Sequence, residues 1–183
     1  QAPAQIQAPP AADIATLHPT SHNPTTQPPV SNSDIWGRMR NGFSLPNAPS
    51  NKFQSDLAFY GRYPSFMNSV SARSSRFMFY VVDELEKRKM PMELALIPVI
   101  ESAYNPKARS PGGAVGLWQM MDGTGRVLGL KRTAHYDGRH DVVASTDAAL
   151  NYLQRLGAKF NGDWYLALAA YNMGETRIAR IME

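Results

Sequence analysis

From Pro64 to Lys89 the apolar residues Phe66, Val70, Phe77, Val81 and Leu85 recur at helical spacing and predict one long amphipathic helix. Met90-Pro91 interrupts it. Pro91 then suits the start of a second helix, with Glu93 in its first turn, running to about Ser102. Asp141 reads as the N-cap of a third helix, whose Val142, Thr146, Ala149, Leu153, Leu156 and Phe160 make one stripe by alternating steps of four and three. Asn161-Gly162 stops it, Asp163 caps a helix from Trp164 to Tyr171, and Gly174 begins a last segment that reaches Glu183. Residues 105–116 hold Pro106, Pro111, Gly112, Gly113 and Gly116 and predict a loop. A short helix is expected over 116–121. In 34–65 the apolar residues Trp36, Met39, Phe43, Leu45, Phe53, Leu57, Phe59 and Tyr60 alternate with Pro46, Pro49 and Pro64. That mixture predicts short helices and turns wrapping a core built mainly from later residues. No segment shows strand-like alternation, so the expected class is all-α.

Composition divides the chain unevenly. Residues 1–33 carry one charge, Asp13, seven of the fourteen prolines and many Gln, Ala, Ser and Thr. Such a segment has little apolar surface to set against the entropy of ordering it, and it reads as a flexible tether. Residues 34–183 are left as the folded domain. The net charge of +4 is mild and unclustered; Lys87-Arg88-Lys89, the densest run, reads as a solvated helix end. Without a basic face, nucleic-acid binding is excluded, while a slight positive excess suits an anionic polymer. The absence of cysteine removes disulfides and thiolate metal sites. No run approaches the ~20 apolar residues of a membrane span.

Chemistry enters with Glu101, which ends the run Leu94-Ala95-Leu96-Ile97-Pro98-Val99-Ile100. A carboxyl delivered by an apolar segment is poorly solvated, which favours its protonated form and suits a proton donor. Two later clusters, Gly116-Leu117-Trp118-Gln119 and Ala169-Ala170-Tyr171-Asn172, place amides beside aromatic rings. Rings stack on sugar carbons and amides bond hydroxyls, although each aromatic taken alone also suits a core. The remaining carboxylates lack the apolar lead-in. Asp83, Glu84, Glu86 and Glu93 read as helix surface or ends; Asp137, Asp141 and Asp163 read as turn or cap residues. Only Asp122 and Glu175 could approach a cleft. His135 and His140 sit in a loop without a third ligand, so no metal is expected, and nothing calls for a cofactor.

Four motifs together carry a resemblance: Glu101-Ser102-Ala103-Tyr104-Asn105-Pro106, Ser110-Pro111-Gly112-Gly113-Ala114, Gly116-Leu117-Trp118-Gln119-Met120, and Ala169-Ala170-Tyr171-Asn172-Met173-Gly174-Glu175. In order and spacing they resemble the lytic murein transglycosylase catalytic domain, over roughly 90–183. The stretch from Tyr136 to Thr146 is similar to the membrane-bound, D-type branch of that family. The resemblance implies a lysozyme-like, mainly helical fold and a peptidoglycan glycan strand as substrate. It implies cleavage of the β-1,4 bond between N-acetylmuramic acid and N-acetylglucosamine without water, leaving 1,6-anhydro ends. Glu101 would act as the single acid and base. Ser110, Gln119 and Tyr171 would line the site, Trp118 and Met121 would shape sugar subsites, and Ser102 and Asn172 would support it from behind. It also implies a periplasmic protein, anchored by lipid to the outer membrane in a longer form, of which this chain is an expected C-terminally shortened part. Two other readings stand beside it: a goose-lysozyme-like muramidase using Asp122 or Glu175 to position water, and a wall-binding module without turnover.

Overall fold

The structure is a computed structural model that describes residues 34–46, 54, 58 and 61–182. The expected tether over 1–33, and Pro49, Phe53, Leu57, Phe59 and Tyr60, lie outside the described residues. The described chain is mainly helical. Its short antiparallel pairings, such as Arg109 with Val115 and Val115 with Met120, are isolated bridges.

Helix α1 (Ile35–Asn41) starts at Asp34, whose side chain accepts the Trp36 N–H at 3.0 Å. Next come α2 (Pro64–Ser74) and α3 (Met78–Lys87), where the periodicity predicts a single helix. The apolar register holds across the junction, but the backbone does not. The Ser74 and Ser75 hydroxyls donate to the carbonyls of Ser71 and Ala72, at 3.1 and 2.9 Å. The Phe77 N–H turns back to Ser74. Serine bonding of this kind competes with the helical ladder, and the turn at 75–77 re-aims α3.

The second expected helix is also in two parts: a 3₁₀ turn (Met92–Leu96), then α4 (Ile97–Ser102) with Pro98 in its first turn. Glu93 is more than a helix-end charge, since it accepts the Ser44 and Leu45 N–H groups at 2.8 Å each and straps the N-terminal segment down. Helix α5 (Asp122–Val127) runs through Gly123-Thr124-Gly125, although two glycines so close together favour a turn. The stripe beginning at Val142 forms α6 (Val142–Lys159), with Asp141 accepting the Ala144 N–H at 2.9 Å. After Asn161 and Gly162, both at positive φ, Asp163 caps α7 (Trp164–Met173). Helix α8 (Glu175–Met182) follows.

Helix α6 is the central support. Its Ala149, Leu150 and Leu153 meet Val81, Val82 and Leu85 of α3, Leu94, Leu117 and Trp118 in one buried cluster. Leu156 joins Ala167, Ala170 and Ile178 in a second cluster beneath α7 and α8. Gly157 allows the close approach, because a Cβ there would lie 2.9 Å from the Trp164 ring. Arg88 corrects the picture of a solvated basic helix end: its largely buried guanidinium joins Glu84 on α3 to Asp147 on α6.

Candidate active site

Helix α4 brings Glu101 to the surface at its last turn, and the geometry just beyond that turn holds it there. Ala103 and Tyr104 both take left-handed backbone angles, φ 49° and 56°, which costs ~1–3 kcal/mol per residue without glycine. Burial of the Tyr104 ring offsets the strain, with its hydroxyl donating to the Ala95 carbonyl at 2.8 Å. Ser102 is buried behind the acid. Its hydroxyl lies 3.1 Å from the Pro98 carbonyl and 2.8 Å from that of Leu117, so it joins α4 to the neighbouring loop.

That loop is where a short helix is expected over 116–121, and it forms a tight turn instead. Val115 and Met120 exchange both backbone hydrogen bonds, at 3.1 and 3.0 Å. Gly116 and Gln119 take positive φ to close the four residues between them. Gly116 is needed twice over, for its φ of +84° and because a Cβ would lie 1.8 Å from the Arg139 carbonyl oxygen. The buried Arg139 side chain reaches Asp137 at 2.7 Å and the Met120 carbonyl at 3.3 Å, holding the turn from behind.

These supports create a cleft of about 620 Å³ that brings Glu101 together with Ser110, Gln119, Met121, Tyr171 and Asn172. The Ser110 hydroxyl accepts the Ala114 N–H at 3.0 Å and keeps its own proton to donate. The Gln119 amide is steadied by a 2.9 Å bond to the Gly116 carbonyl. The Tyr171 hydroxyl donates to the Trp118 carbonyl at 3.0 Å.

Trp118 and Asn172 stand differently from their expected roles. The Trp118 ring is 1% exposed and does not line the cleft; its indole N–H donates to Thr146 on α6 at 2.9 Å. Tertiary packing takes the ring into the core and leaves only its carbonyl near the site. Asn172 is exposed and lines the cleft rather than backing it. Tyr152 was missed by sequence reasoning. It lies 5.9 Å from Tyr171, centroid to centroid, and forms part of the wall with Thr124, Leu128 and Met173. Its only sequence signal is an aromatic flanking the α6 stripe.

The electrostatics single out one carboxyl. Burial raises the pKa of Glu101 above its ordinary value, and none of the described basic side chains forms an ion pair with it. Burial, reinforced by the charges of Glu101 and Tyr152, pushes the Tyr171 phenol far above its usual range, so it stays a neutral donor. The two carboxylates expected near the cleft do not line it. Asp122 is held by Arg132 at 2.6 Å and Arg126 at 2.8 Å, and its pKa is lowered, chiefly by the bond to Arg132. Glu175 pairs with Arg155 at 3.3 Å and Lys159 at 3.7 Å. The described residues contain no group of three or more His, Asp or Glu able to hold a metal ion, and the His140 Nδ1 sits 2.8 Å from the Pro106 carbonyl.

Residues 81–183 match the model of the transglycosylase SLT domain family. The chain is 41% identical over 150 residues to membrane-bound lytic murein transglycosylase D of Escherichia coli, covering 82% of this chain and 33% of that protein. It is 47% identical over 110 residues to a protein of Alteromonas named for tributyltin chloride resistance, covering 60% and 53% respectively. The chain thus spans about a third of the first relative's length and about half of the second's. Among solved structures, an inactive mutant of lytic transglycosylase Slt from Pseudomonas aeruginosa aligns at TM-score 0.48 and 27% identity, over 70% of this chain and 23% of that one.

Proposed function

The chain belongs to the transglycosylase SLT domain family, and on that premise we propose that it cleaves peptidoglycan glycan strands as a lytic transglycosylase. The substrate bond is the β-1,4 link from N-acetylmuramic acid to N-acetylglucosamine. One observation carries the reading: among the described residues lining the cleft, Glu101 is the one carboxyl, and it is desolvated without a counter-cation.

The first step needs a protonated acid. Glu101 gives its proton to the glycosidic oxygen as the C1–O bond breaks, and the N-acetylglucosamine side leaves as an alcohol. The substrate's own N-acetyl group stabilises the positive charge left at C1, a role that removes the need for a second carboxylate. Glu101, now ionised, takes the proton from the muramyl C6 hydroxyl as that oxygen bonds to C1. The products are a 1,6-anhydro-muramyl end and an acid returned to its starting state. Neutral donors suit such a site. Ser110 and Gln119 can donate to sugar hydroxyl and acetamido groups, and the Tyr171 oxygen, its proton on the Trp118 carbonyl, can accept from one, without stabilising the carboxylate as a fixed cation would.

The hydrolytic reading needs a second carboxylate to position water, and the ion pairs of Asp122 and Glu175 weigh against both candidates. The same reading places the protein in the cell envelope. There residues 34–183 act on the wall, in a protein held by a lipid anchor at the outer membrane. Among the described residues no helix is long and apolar enough to cross a membrane.

The test is mass spectrometry of sacculi incubated with the parent chain and with Glu101→Gln. Anhydro-muramyl ends from the parent alone are expected. Ordinary reducing ends would move the assignment to a muramidase, and wall binding without any product would leave a binding module.

A further inference from the structure

Beside the cleft lies a second hollow of about 350 Å³, and Leu128 and Tyr152 line both. Its floor is one stripe of α6, where Ala144, Asp147, Asn151 and Arg155 follow helical steps. The two spaces differ in chemistry. The cleft offers a carboxyl, hydroxyls and amides, whereas the second hollow offers an amide, an anchored carboxylate and a guanidinium.

A sugar ring is a poor fit to this hollow. Tyr152 is its one aromatic, and that ring already carries the Arg155 guanidinium at 5.0 Å and the tilted Tyr171 ring at 5.9 Å. A carboxylate is a better fit. Arg155 is 59% exposed at its side chain, and Glu175 takes one of its terminal nitrogens at 3.3 Å, leaving other N–H donors of the planar fork to meet an anion. Glu175 also has Lys159 at 3.7 Å, so sharing Arg155 does not strand it. Asp147 offers little repulsion, because Arg88 binds it from α3 and Asn151 donates to it at 3.3 Å.

We propose that the second hollow receives the acidic peptide branch of the glycan, with a peptide carboxylate on Arg155 and peptide amides beside Asn151. This rests on the peptidoglycan reading above, since the muramyl lactyl group carries a short peptide with free carboxylates. Leu128 and Tyr152, which line both spaces, mark the side on which that branch leaves the sugar cleft. The site thereby distinguishes peptide-bearing strands from bare ones.

Binding separates this proposal from turnover. Glu101→Gln protein is titrated with glycan oligomers that carry the peptide, with the same oligomers stripped of it, and with peptide-bearing oligomers whose carboxylates are amidated. The peptide-bearing form is expected to bind about tenfold more tightly than the stripped form, the scale of one charge-assisted hydrogen bond. Amidation removes that gain, and adding Arg155→Ala brings the dissociation constants together. Arg155→Lys, which keeps the charge but loses the fork, retains part of the gain. Equal affinities in the starting protein, or a gain that survives Arg155→Ala, would overturn the proposal while leaving the glycan reading standing. Failure to bind even the stripped oligomers would overturn both.

Discussion

Glu101 and Asp137 each sit beside a turn that the fold holds under strain or in close contact, yet they are treated in opposite ways. Glu101 leaves an apolar helix with none of the described basic side chains paired to it, and burial raises its pKa. Asp137 lies 2.7 Å from a buried guanidinium, and the Arg139 hydrogen bonds hold its pKa down to about 2. A carboxylate fixed by arginine cannot release or accept a proton near neutrality. A carboxyl that folding has left unpaired can. The second group is also what keeps the first useful, because Arg139 holds the 116–121 turn that presents Gln119 and Met121 to the cleft. One region carries the proposed reactive group at a cost in stability, and the other contributes rigidity.

The largest expected effect breaks the comparison at its reactive end. Glu101→Gln should slow release of glycan fragments by about 10²–10⁴-fold, the range for loss of a general acid. Asp122→Asn and Glu175→Gln should each leave the rate within about tenfold of the parent. A loss at Asp122 as large as that at Glu101 would restore the two-carboxylate mechanism.

Next is the supporting end. Arg139→Met leaves Asp137 only the longer contact to Arg132, at 3.8 Å, and frees the Met120 carbonyl, and denaturant titration should register a loss of about 3 kcal/mol. Less than 1 kcal/mol would show that the guanidinium does not hold the turn. Gly116→Ala adds a Cβ at a position where φ is +84° and the Arg139 oxygen would be 1.8 Å away. Strain and overlap together predict about 3 kcal/mol, and an Ala variant as stable as the parent would contradict the close approach.

The smallest effect sharpens the contrast by its sign. Asp137 has a depressed folded pKa, so its contribution is present above its ordinary value of 3.8 and is lost as pH falls toward 2. Glu101 has a raised one, so its ionisation costs stability above its ordinary value of 4.5 and the cost disappears below it. Thermal melts across pH should find Glu101→Gln more stable than the parent at pH 7, the gap closing below about 4.5. Asp137→Asn should be less stable at pH 7, its gap closing only toward about 2. Gaps of the same sign would refute the opposition.

One side of this contrast was legible before the fold was known, and the exceptions are instructive. The apolar run into Glu101 announced a poorly solvated acid, and Asp141 and Asp163 announced the helices they cap, because these effects act within one turn of chain. The single helix expected from Pro64 to Lys89 breaks at 75–77, where apolar periodicity is blind to serines that bond backbone carbonyls. Trp118 beside Gln119 suggested a sugar platform, but neighbours in sequence can face opposite ways across a tight turn. Tyr152 passed unnoticed because its position beside the α6 stripe says only that it is at the flank of a buried face.

The sequence by itself determined a helical chain, the caps and stops of its later helices, and one carboxyl delivered by apolar residues. Local spacing, capping and solvation suffice for those. Tertiary structure alone decided that Asp122 and Glu175 are neutralised away from the cleft, that the Trp118 ring belongs to the core, and that Tyr152 stands between two hollows. These depend on which groups far apart in sequence meet. Arg132 reaches Asp122, Thr146 takes the indole N–H, and Tyr171 packs on Tyr152 only after α6 and α7 have packed together.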